Sequence, residues 1–328
     1  MGEWDAVPPF SHASFAYENE TIEDAIMNRS IKKYTRTWPI IFVAPFCICF
    51  LLFNLFPILY SFYMSTLDWA GYNEPEFVGL DNFVRIFTKD TVFWESVWNT
   101  IRIGIVGFPI AIVLGLIFAA LLSNVKKFKN VLQTVNFLPY VTTPVAIGMI
   151  FTFIFEEHVG ILNKLIEALG GDAVNFIGTA KWAPLVISFM IIWKNTGYFM
   201  AMYLAGITSI SDDLYEAAQI DGATRIQSFF KITVPLLKPV TIFLVITSTI
   251  YAFQLFDEPN LLFTNQSSSV VGGPQQSCLT IVWNFYDKAF GANPSMGYAS
   301  AMACVLFVII VVVSVIGLRL MNGKEDKH

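Results

Sequence analysis

The chain has 328 residues, of which 55% are hydrophobic and only 14% are charged, and its formal net charge is −5. A soluble domain carries about 25% charged residues, so the composition favours a membrane protein over a large soluble core. The negative charge, which comes largely from acidic loops and an acidic early tail, argues against a nucleic-acid partner.

The apolar residues form blocks of the length that a membrane-spanning helix needs, about 20 residues. Helices are expected because each satisfies its backbone hydrogen bonds within one segment, and no block shows the short alternation of a β-barrel strand. The sequence therefore predicts an all-α polytopic membrane protein with six transmembrane helices. The blocks lie at roughly 39–63, 99–122, 131–155, 183–207, 236–257 and 297–321.

This pattern predicts four parts of the chain. Residues 1–38 contain no apolar run of signal-peptide type and are expected to form an N-terminal tail that is retained. The first helix and an external loop occupy residues 39–94, a core transmembrane domain occupies 95–321, and residues 322–328 form a C-terminal tail.

Basic residues indicate the orientation. They are concentrated before the first block, in the second and fourth loops and after the last block, and loops rich in Lys and Arg remain in the cytoplasm. We therefore expect both termini, and the fourth loop at 211–235, to be cytoplasmic. The residues concerned are Arg29, Lys32, Lys33, Arg36, Lys126, Lys127, Lys129, Arg225, Lys231, Arg319, Lys324 and Lys327.

The sequence offers no catalytic or metal-binding constellation. Its three histidines are scattered, and its four cysteines fit no metal spacing, so neither a metal site nor a disulfide is expected. A glycine-rich phosphate-binding loop followed by Lys-Ser or Lys-Thr is also absent from the sequence. Any nucleotide that drives this protein must be bound by another chain.

Polar residues inside the spans are candidates for a translocation path. Lys194 and Asn195 lie midway along the fourth block, where a lysine costs about 2.5–3.5 kcal/mol unless it faces other helices or water. Lys194 could line a solute path, or it could be a structural charge satisfied by helix-end carbonyls near Gly197. Asn54 and Gln254 are similar but weaker candidates.

The third block contains Pro139 and Pro144, which should kink or break its helix. The broken helix could lie beside a pathway, or the kink could be a tolerated irregularity in an ordinary packed helix. Neither reading is favoured by the sequence.

Aromatic residues are frequent in the outer loops, among them Trp69, Tyr72, Trp94 and Trp98. Their expected place is the membrane–water interface, where amphipathic rings are favoured. Docking of an external partner is the alternative.

The segment 211–235 predicts a jointed helical elbow. Ser211 is a suitable helix cap, Gly222 should end the first helix, and an apolar stripe that includes Ile226 and Phe230 predicts a second helix. Pro235 is expected to open the fifth span, with the second helix continuous with that span. The elbow could be an interfacial connector, or its small Ala217–Ala218 face could dock on a protein partner.

The elbow resembles the EAA signature of permease subunits in binding-protein-dependent ABC importers. The signature is Glu-Ala-Ala, three residues, Gly, nine residues, Ile, one residue, a branched apolar residue and Pro. This chain has Glu216, Ala217, Ala218, Gly222, Ile232, Val234 and Pro235 in register, with Asp221 before the glycine. Val234 replaces the more usual Leu. Further stretches, such as "FVGLDNFVRIF" at 77–87 and "GYASAMACVLF" at 297–307, resemble the carbohydrate-uptake branch of the maltose and glycerol-3-phosphate permease type.

The resemblance implies a type I ABC importer permease fold in a prokaryotic cytoplasmic (inner) membrane. It implies as partners a second, similar permease, two ATP-binding subunits, an extracytoplasmic solute-binding protein and a sugar, with ATP and Mg on the ATP-binding subunits and no cofactor on this chain. The elbow would be the coupling helix, seated in a groove of the ATPase subunit. An ion-coupled secondary transporter or channel is the alternative function, and Lys194 is its best support.

Overall fold

The structure, a computed structural model, describes residues 39–264 and 271–322. The predicted tail 1–38 lies outside these ranges, as do its basic residues and those at Lys324 and Lys327. The chain divides between Tyr60 and Ser61 into two compact units.

Helices dominate both units. In chain order they are α1 Pro39–Met64, α2 Asp81–Thr88, α3 Thr91–Ser123, α4 Lys129–Val141, α5 Pro144–Ile154, α6 Ile161–Ala168, α7 Ala183–Thr208, α8 Asp212–Ile220, α9 Arg225–Leu236, α10 Lys238–Phe253, α11 Asp257–Thr264, α12 Ile281–Phe290 and α13 Met296–Asn322. A short antiparallel pair, β1 Leu67–Asp68 and β2 Glu76–Phe77, lies in the loop after α1.

Four of these helices, α1, α3, α7 and α13, are each long and apolar enough to cross a membrane. The pairs α4–α5 and α9–α10 are bent by 94° and 61°, so each is either one broken span or a re-entrant segment. The described residues thus contain four spans, or six where each bent pair is one span, and this range includes the predicted six and confirms the all-α polytopic fold.

The core of the second unit is built on α3 and α7, which form its most extensive helix pair. Small residues permit this contact: a Cβ on Gly107 would lie 2.9 Å from Ile191, and one on Gly115 would lie 2.6 Å from Phe199. Within a membrane, helices associate through such close backbone approach because lipid offers no hydrophobic drive. The glycines of α3 therefore fix the position of α7, which carries Lys194 and Asn195.

The first helix, α1, leaves its apolar side chains exposed. Phe42 is 75% exposed and Phe53 is 76% exposed. Such a surface suits contact with lipid or with another membrane subunit. Asn54 lies in this helix, within a π-helical turn at Leu51–Leu55, and its side chain is also exposed.

Candidate functional site

A polar cavity of about 480 Å³ lies among α4, α7, α10 and the start of α11. Lys194, Asn195 and Gln254, three of the four predicted path residues, line it together. The fourth, Asn54, belongs to the separate first unit, and the cavity is built without it.

Lys194 is held by an ion pair within this cavity. Its Nζ lies 2.7 Å from Oε1 of Glu258, and the two side chains are only 18% and 12% exposed. The partner is therefore Glu258, and not the helix-end carbonyls near Gly197 that the sequence allowed as an alternative. The Glu258 side chain is only 12% exposed, so its carboxylate is held by this pair rather than simply solvated.

The other two path residues are positioned by helix geometry. The amide of Asn195 donates to the carbonyl of Ile191 at 2.9 Å, which leaves its side-chain oxygen available. Gln254 caps the C-terminal end of α10, where the fifth span stops, and its side chain is exposed. The span ends at Phe253 rather than at the predicted residue 257, so Gln254 sits at a helix break.

Three tyrosines complete the cavity and were missed by the sequence reasoning. Tyr140 and Tyr198 stack with ring centroids 4.7 Å apart and planes 14° apart, and Tyr251 lines the same space. Tyr140 follows Pro139 by one residue, so its place beside a predicted helix break was the available signal. A polar cavity with aromatic walls and few charges can bind a small polar molecule.

The break in the third span positions Tyr140. The span is interrupted at Thr142 and Thr143, with Pro144 in the first turn of α5. Proline suits that position because its missing N–H needs no partner there. The predicted break is present, and the broken helix lies beside the polar cavity.

The close approach of α4 to α7 depends on Gly197. A Cβ at this position would overlap the carbonyl oxygen of Asn136 on α4. Glycine therefore brings Tyr140 of α4 against Tyr198 of α7, the stacked pair on the cavity wall.

The elbow has the two helices that the sequence predicts. The hydroxyl of Ser211 accepts from the N–H of Asp213 at 3.3 Å and caps α8. Gly222 follows α8 with a φ of +82°, a conformation that L side chains rarely adopt. A capping box between Thr224 and Gln227 then starts α9.

The elbow's signature residues lie on its surface. Glu216, Ala217, Asp221, Gly222 and Pro235 are exposed, while Ala218 and Ile232 are half-buried. A hydrogen bond of 2.9 Å between the hydroxyls of Tyr215 and Thr233 joins the two helices of the elbow. The sequence reasoning missed this bond, because it links residues 18 positions apart.

One expectation for the elbow is corrected. The second helix is not continuous with the fifth span: α9 meets α10 at 61°, with Leu237 between them and Pro239 in the first turn of α10. Proline at the start of a helix permits such a change of direction. The predicted apolar stripe is largely uncovered by the described chain, since Ile226 is 71% exposed and Phe230 is 64% exposed.

Residues 111–322 match the family described as binding-protein-dependent transport system inner membrane component. The chain belongs to this family. The resemblance drawn from the EAA signature is thereby confirmed, and the protein is a permease subunit of an ABC importer and a multi-pass membrane protein.

The relatives include sugar permeases. The lactose transport system permease protein LacF of Rhizobium radiobacter is 36% identical over 288 residues, which cover 87% of this chain and 94% of LacF. The arabinooligosaccharides transport system permease protein AraP of Bacillus subtilis (strain 168) is 34% identical over 291 residues, covering 88% of this chain and 90% of AraP.

The fold has a close counterpart among solved structures. A chain in the crystal structure of a bacterial alginate ABC transporter, in complex with an alginate pentasaccharide-bound periplasmic protein, superposes with a TM-score of 0.77. The two chains are 24% identical, and the match covers 90% of this chain and 98% of that chain. At this identity the likeness establishes the fold alone.

Proposed function

We propose that this permease forms half of the translocation path of an ATP-driven sugar importer, and that it couples to a separate ATPase through the elbow at 211–235. One observation carries the proposal. The elbow connects two of the helices that line the cavity: α7, which carries Lys194 and Asn195, leads into it, and α10, which carries Tyr251 and is followed by Gln254, leads out of it.

The exposed face of the elbow supports docking on a partner. Glu216 and Ala217 are exposed, and the apolar side chains of Ile226 and Phe230 are mostly uncovered by the described chain. An amphipathic helix laid into a groove is a common mode of protein recognition. In this proposal Ala217 and Ala218 permit close approach to the ATPase, Glu216 orients the helix, and Gly222 permits the turn.

The cavity suits an uncharged saccharide. Its charged lining residues are Lys194, Asp257 and Glu258, and the Lys194–Glu258 pair is neutral overall. Asp257 leaves one net negative charge, which disfavours an anionic solute. Tyrosine rings offer flat apolar faces and hydroxyls, which match the mixed surface of a sugar. The names of LacF and AraP support an oligosaccharide or glycoside as the substrate.

The mechanism we propose is alternating access. Closure of an ATPase pair moves the elbow, and the elbow tilts α7 and α10 so that the cavity opens outward and accepts solute from an extracytoplasmic solute-binding protein. The bend at Leu237 is the joint between the elbow and α10. Gating of one bundle against another around a fixed site is the usual basis of alternating access.

The assembly would contain a second, similar permease and two ATP-binding subunits, which hold ATP and Mg. This chain is then a subunit without enzymatic activity of its own, lying in the cytoplasmic membrane with both termini and the elbow in the cytoplasm.

The sequence left an ion-coupled secondary transporter as the alternative, and membership of the ABC importer family argues against it, although the half-buried Lys194–Glu258 pair resembles the paired charges of ion pathways. Uptake of labelled lactose and an arabino-oligosaccharide by cells that express the complete system separates the two. The proposal predicts that uptake stops when ATP is depleted and persists when an ionophore collapses the ion gradients. Uptake that follows the gradient with ATP depleted contradicts it.

A further inference from the structure

A second cleft, of about 530 Å³, shares no lining residue with the polar cavity. It lies between the first turns of α3 and the turn at 275–277, with Ala180 beside it. Ala180 precedes α7, whereas the elbow follows that helix. A helix of this length rises about 39 Å, so the cleft and the elbow lie at opposite ends of a span.

Two tryptophans form one wall of the cleft. Trp94 and Trp98 are four residues apart on α3 and so lie on the same face of the helix. Trp98 is 63% exposed, and Trp94 is 43% exposed with its indole N–H donated to the carbonyl of Ile86 at 3.2 Å. Trp94 is thus fixed in orientation, and Trp98 presents an uncovered ring.

Charged groups share this helix face. Glu95 and Arg102 both line the cleft and both are exposed. In the described chain, the one hydrogen bond of the Arg102 side chain is a long one, 3.4 Å to the carbonyl of Ser277. Most donors of its guanidinium are therefore available to a ligand. A helix face that faced only lipid would not carry these two charges beside Trp98.

The opposite wall is a strained turn. Gln275 and Gln276 have φ values of 52° and 56°, a left-handed conformation that is uncommon for residues other than glycine. Asn99 of α3 donates to the carbonyl of Gln276 at 2.9 Å and holds the turn against the helix. Both glutamine side chains are exposed at the cleft. Strain of this kind persists where the surroundings fix it, often at ligand-binding positions.

We propose that this cleft is a saccharide-binding subsite on the entry face of the permease. The assignment of the cleft to that face rests on the proposed function, which places the elbow in the cytoplasm. The ring of Trp98 stacks on the apolar face of a sugar ring, and Arg102, Glu95 and the two glutamine amides bind its hydroxyls. The cleft volume lies within the range of small-ligand sites, about 300–1,000 Å³.

Photoaffinity labelling tests the proposal. The complete importer without solute-binding protein is irradiated with diazirine derivatives of lactose and of an arabinotriose, and labelled peptides are identified by mass spectrometry. Label should appear within residues 94–102 and 275–277, and excess unmodified sugar should remove it. Trp98→Leu should lower this labelling roughly threefold to tenfold, since it keeps an apolar side chain but removes the aromatic face. Trp98→Phe should retain most of it.

Tyr72→Leu is the matched control, because Tyr72 is an outer-loop aromatic, 82% exposed, that does not line the cleft. Its labelling should equal that of the unchanged protein.

Equal labelling in the Trp98→Leu and Trp98→Phe variants would assign Trp98 to the membrane interface and overturn the subsite. Label confined to the polar cavity, in an importer that takes up these sugars, would overturn the subsite alone. If sugar-free binding protein removes the label from the cleft and excess sugar does not, the cleft is a protein docking surface and not a saccharide subsite. Absence of uptake for both sugars would overturn the proposed function and the subsite with it.

Discussion

Lys194 and Glu258 form a 2.7 Å ion pair between residues 64 positions apart, and the pair joins α7 to the start of α11. Glu258 lies in the first turn of α11, where the helix dipole favours a negative charge. The pair removes an isolated positive charge from the cavity wall, beside the side chain of Asn195. We therefore expect it to affect both the stability of the permease and, in the proposed function, the kind of solute that the path accepts.

Breaking the pair on one side should destabilise the permease. Glu258→Leu leaves the Lys194 ammonium buried without a partner, which we expect to cost about 3 kcal/mol, the low end of the range because the pair is partly exposed. The double variant Lys194→Met/Glu258→Leu should recover most of this loss, because no buried charge is left unpaired. Thermal unfolding of both variants in detergent measures the difference. Equal destabilisation of the single and double variants would contradict the prediction.

Gly222 and Gly170 provide a matched pair for testing the elbow. Their φ values are +82° and +85°, and a Cβ on either would meet no atom within 4 Å. The backbone N–H of Gly222 donates to the carbonyl of Gln219, and that of Gly170 donates to the carbonyl of Glu167. Proline at either position loses that bond and cannot adopt a positive φ. We expect Gly222→Pro to leave the protein in the membrane but uncouple ATP hydrolysis from uptake, whereas Gly170→Pro leaves coupling intact. Equal uptake by the two variants would contradict the role of the elbow.

A larger side chain at Ala217 should weaken binding to the ATPase subunit without disturbing the fold of this chain. Its side chain is exposed, so Ala217→Leu meets no atom that the fold requires. We expect normal expression with a loss of ATPase association of about tenfold, the effect of about 1.4 kcal/mol in binding. Pull-down of the ATP-binding subunit measures it. Gln219→Leu, also exposed on α8, is the control and should bind normally. Unchanged association of the Ala217→Leu variant would place the docking face elsewhere.

Gly197 should be required for packing, unlike Gly317. A methyl group on Gly197 would overlap the Asn136 carbonyl, whereas one on Gly317 would meet nothing within 4 Å. Overpacking of this kind costs about 1–3 kcal/mol, so Gly197→Ala should lower the unfolding temperature and separate Tyr140 from Tyr198. Gly317→Ala should be neutral or slightly stabilising, since alanine favours the helix. A Gly197→Ala variant as stable as Gly317→Ala would contradict the close approach of α4 and α7.

Cys278 should resist thiol reagents. Burial raises the pKa of its thiol to about 12, with a smaller opposing effect from a hydrogen bond to Ser277. The thiolate is then scarce at pH 8, and the sulfur is inaccessible. In a variant whose other cysteines are alanine, maleimide should modify Cys278 only after denaturation. An added cysteine at the exposed Asp172 should react within minutes and serves as the control. Rapid labelling of native Cys278 would show that the 271–280 segment is open.

Features that a residue imposes on its own stretch of backbone could be predicted from the sequence. The broken third span follows from Pro144, the start of α8 from Ser211, and the turn of the elbow from Gly222, because each residue acts on its own backbone. Contacts between side chains that are far apart in the chain could not be predicted from the sequence. Nothing near Lys194 indicates that Glu258 is its partner, and the stacking of Tyr140 on Tyr198 depends on how α4 packs on α7.

The direction of α10 illustrates the same limit of local patterns. Pro235 and Pro239 both lie where a span could begin, and the sequence alone favoured Pro235. The structure places Leu237, which is fully buried, at the joint, and a Cβ on Gly206 of α7 would meet its side chain at 2.6 Å. The bend is therefore fixed by a tertiary contact, and the signature residue Pro235 lies on the elbow side of it.

Purification of the protein from native membranes tests most directly whether this chain works as one subunit of an ATP-driven importer. A tag on the C-terminus, extraction in mild detergent and mass spectrometry of the associated chains would identify its partners. The account predicts an ATP-binding subunit together with a second six-span permease. A homo-oligomer that transports sugar after reconstitution without ATP would contradict it, and would make the elbow an interfacial connector.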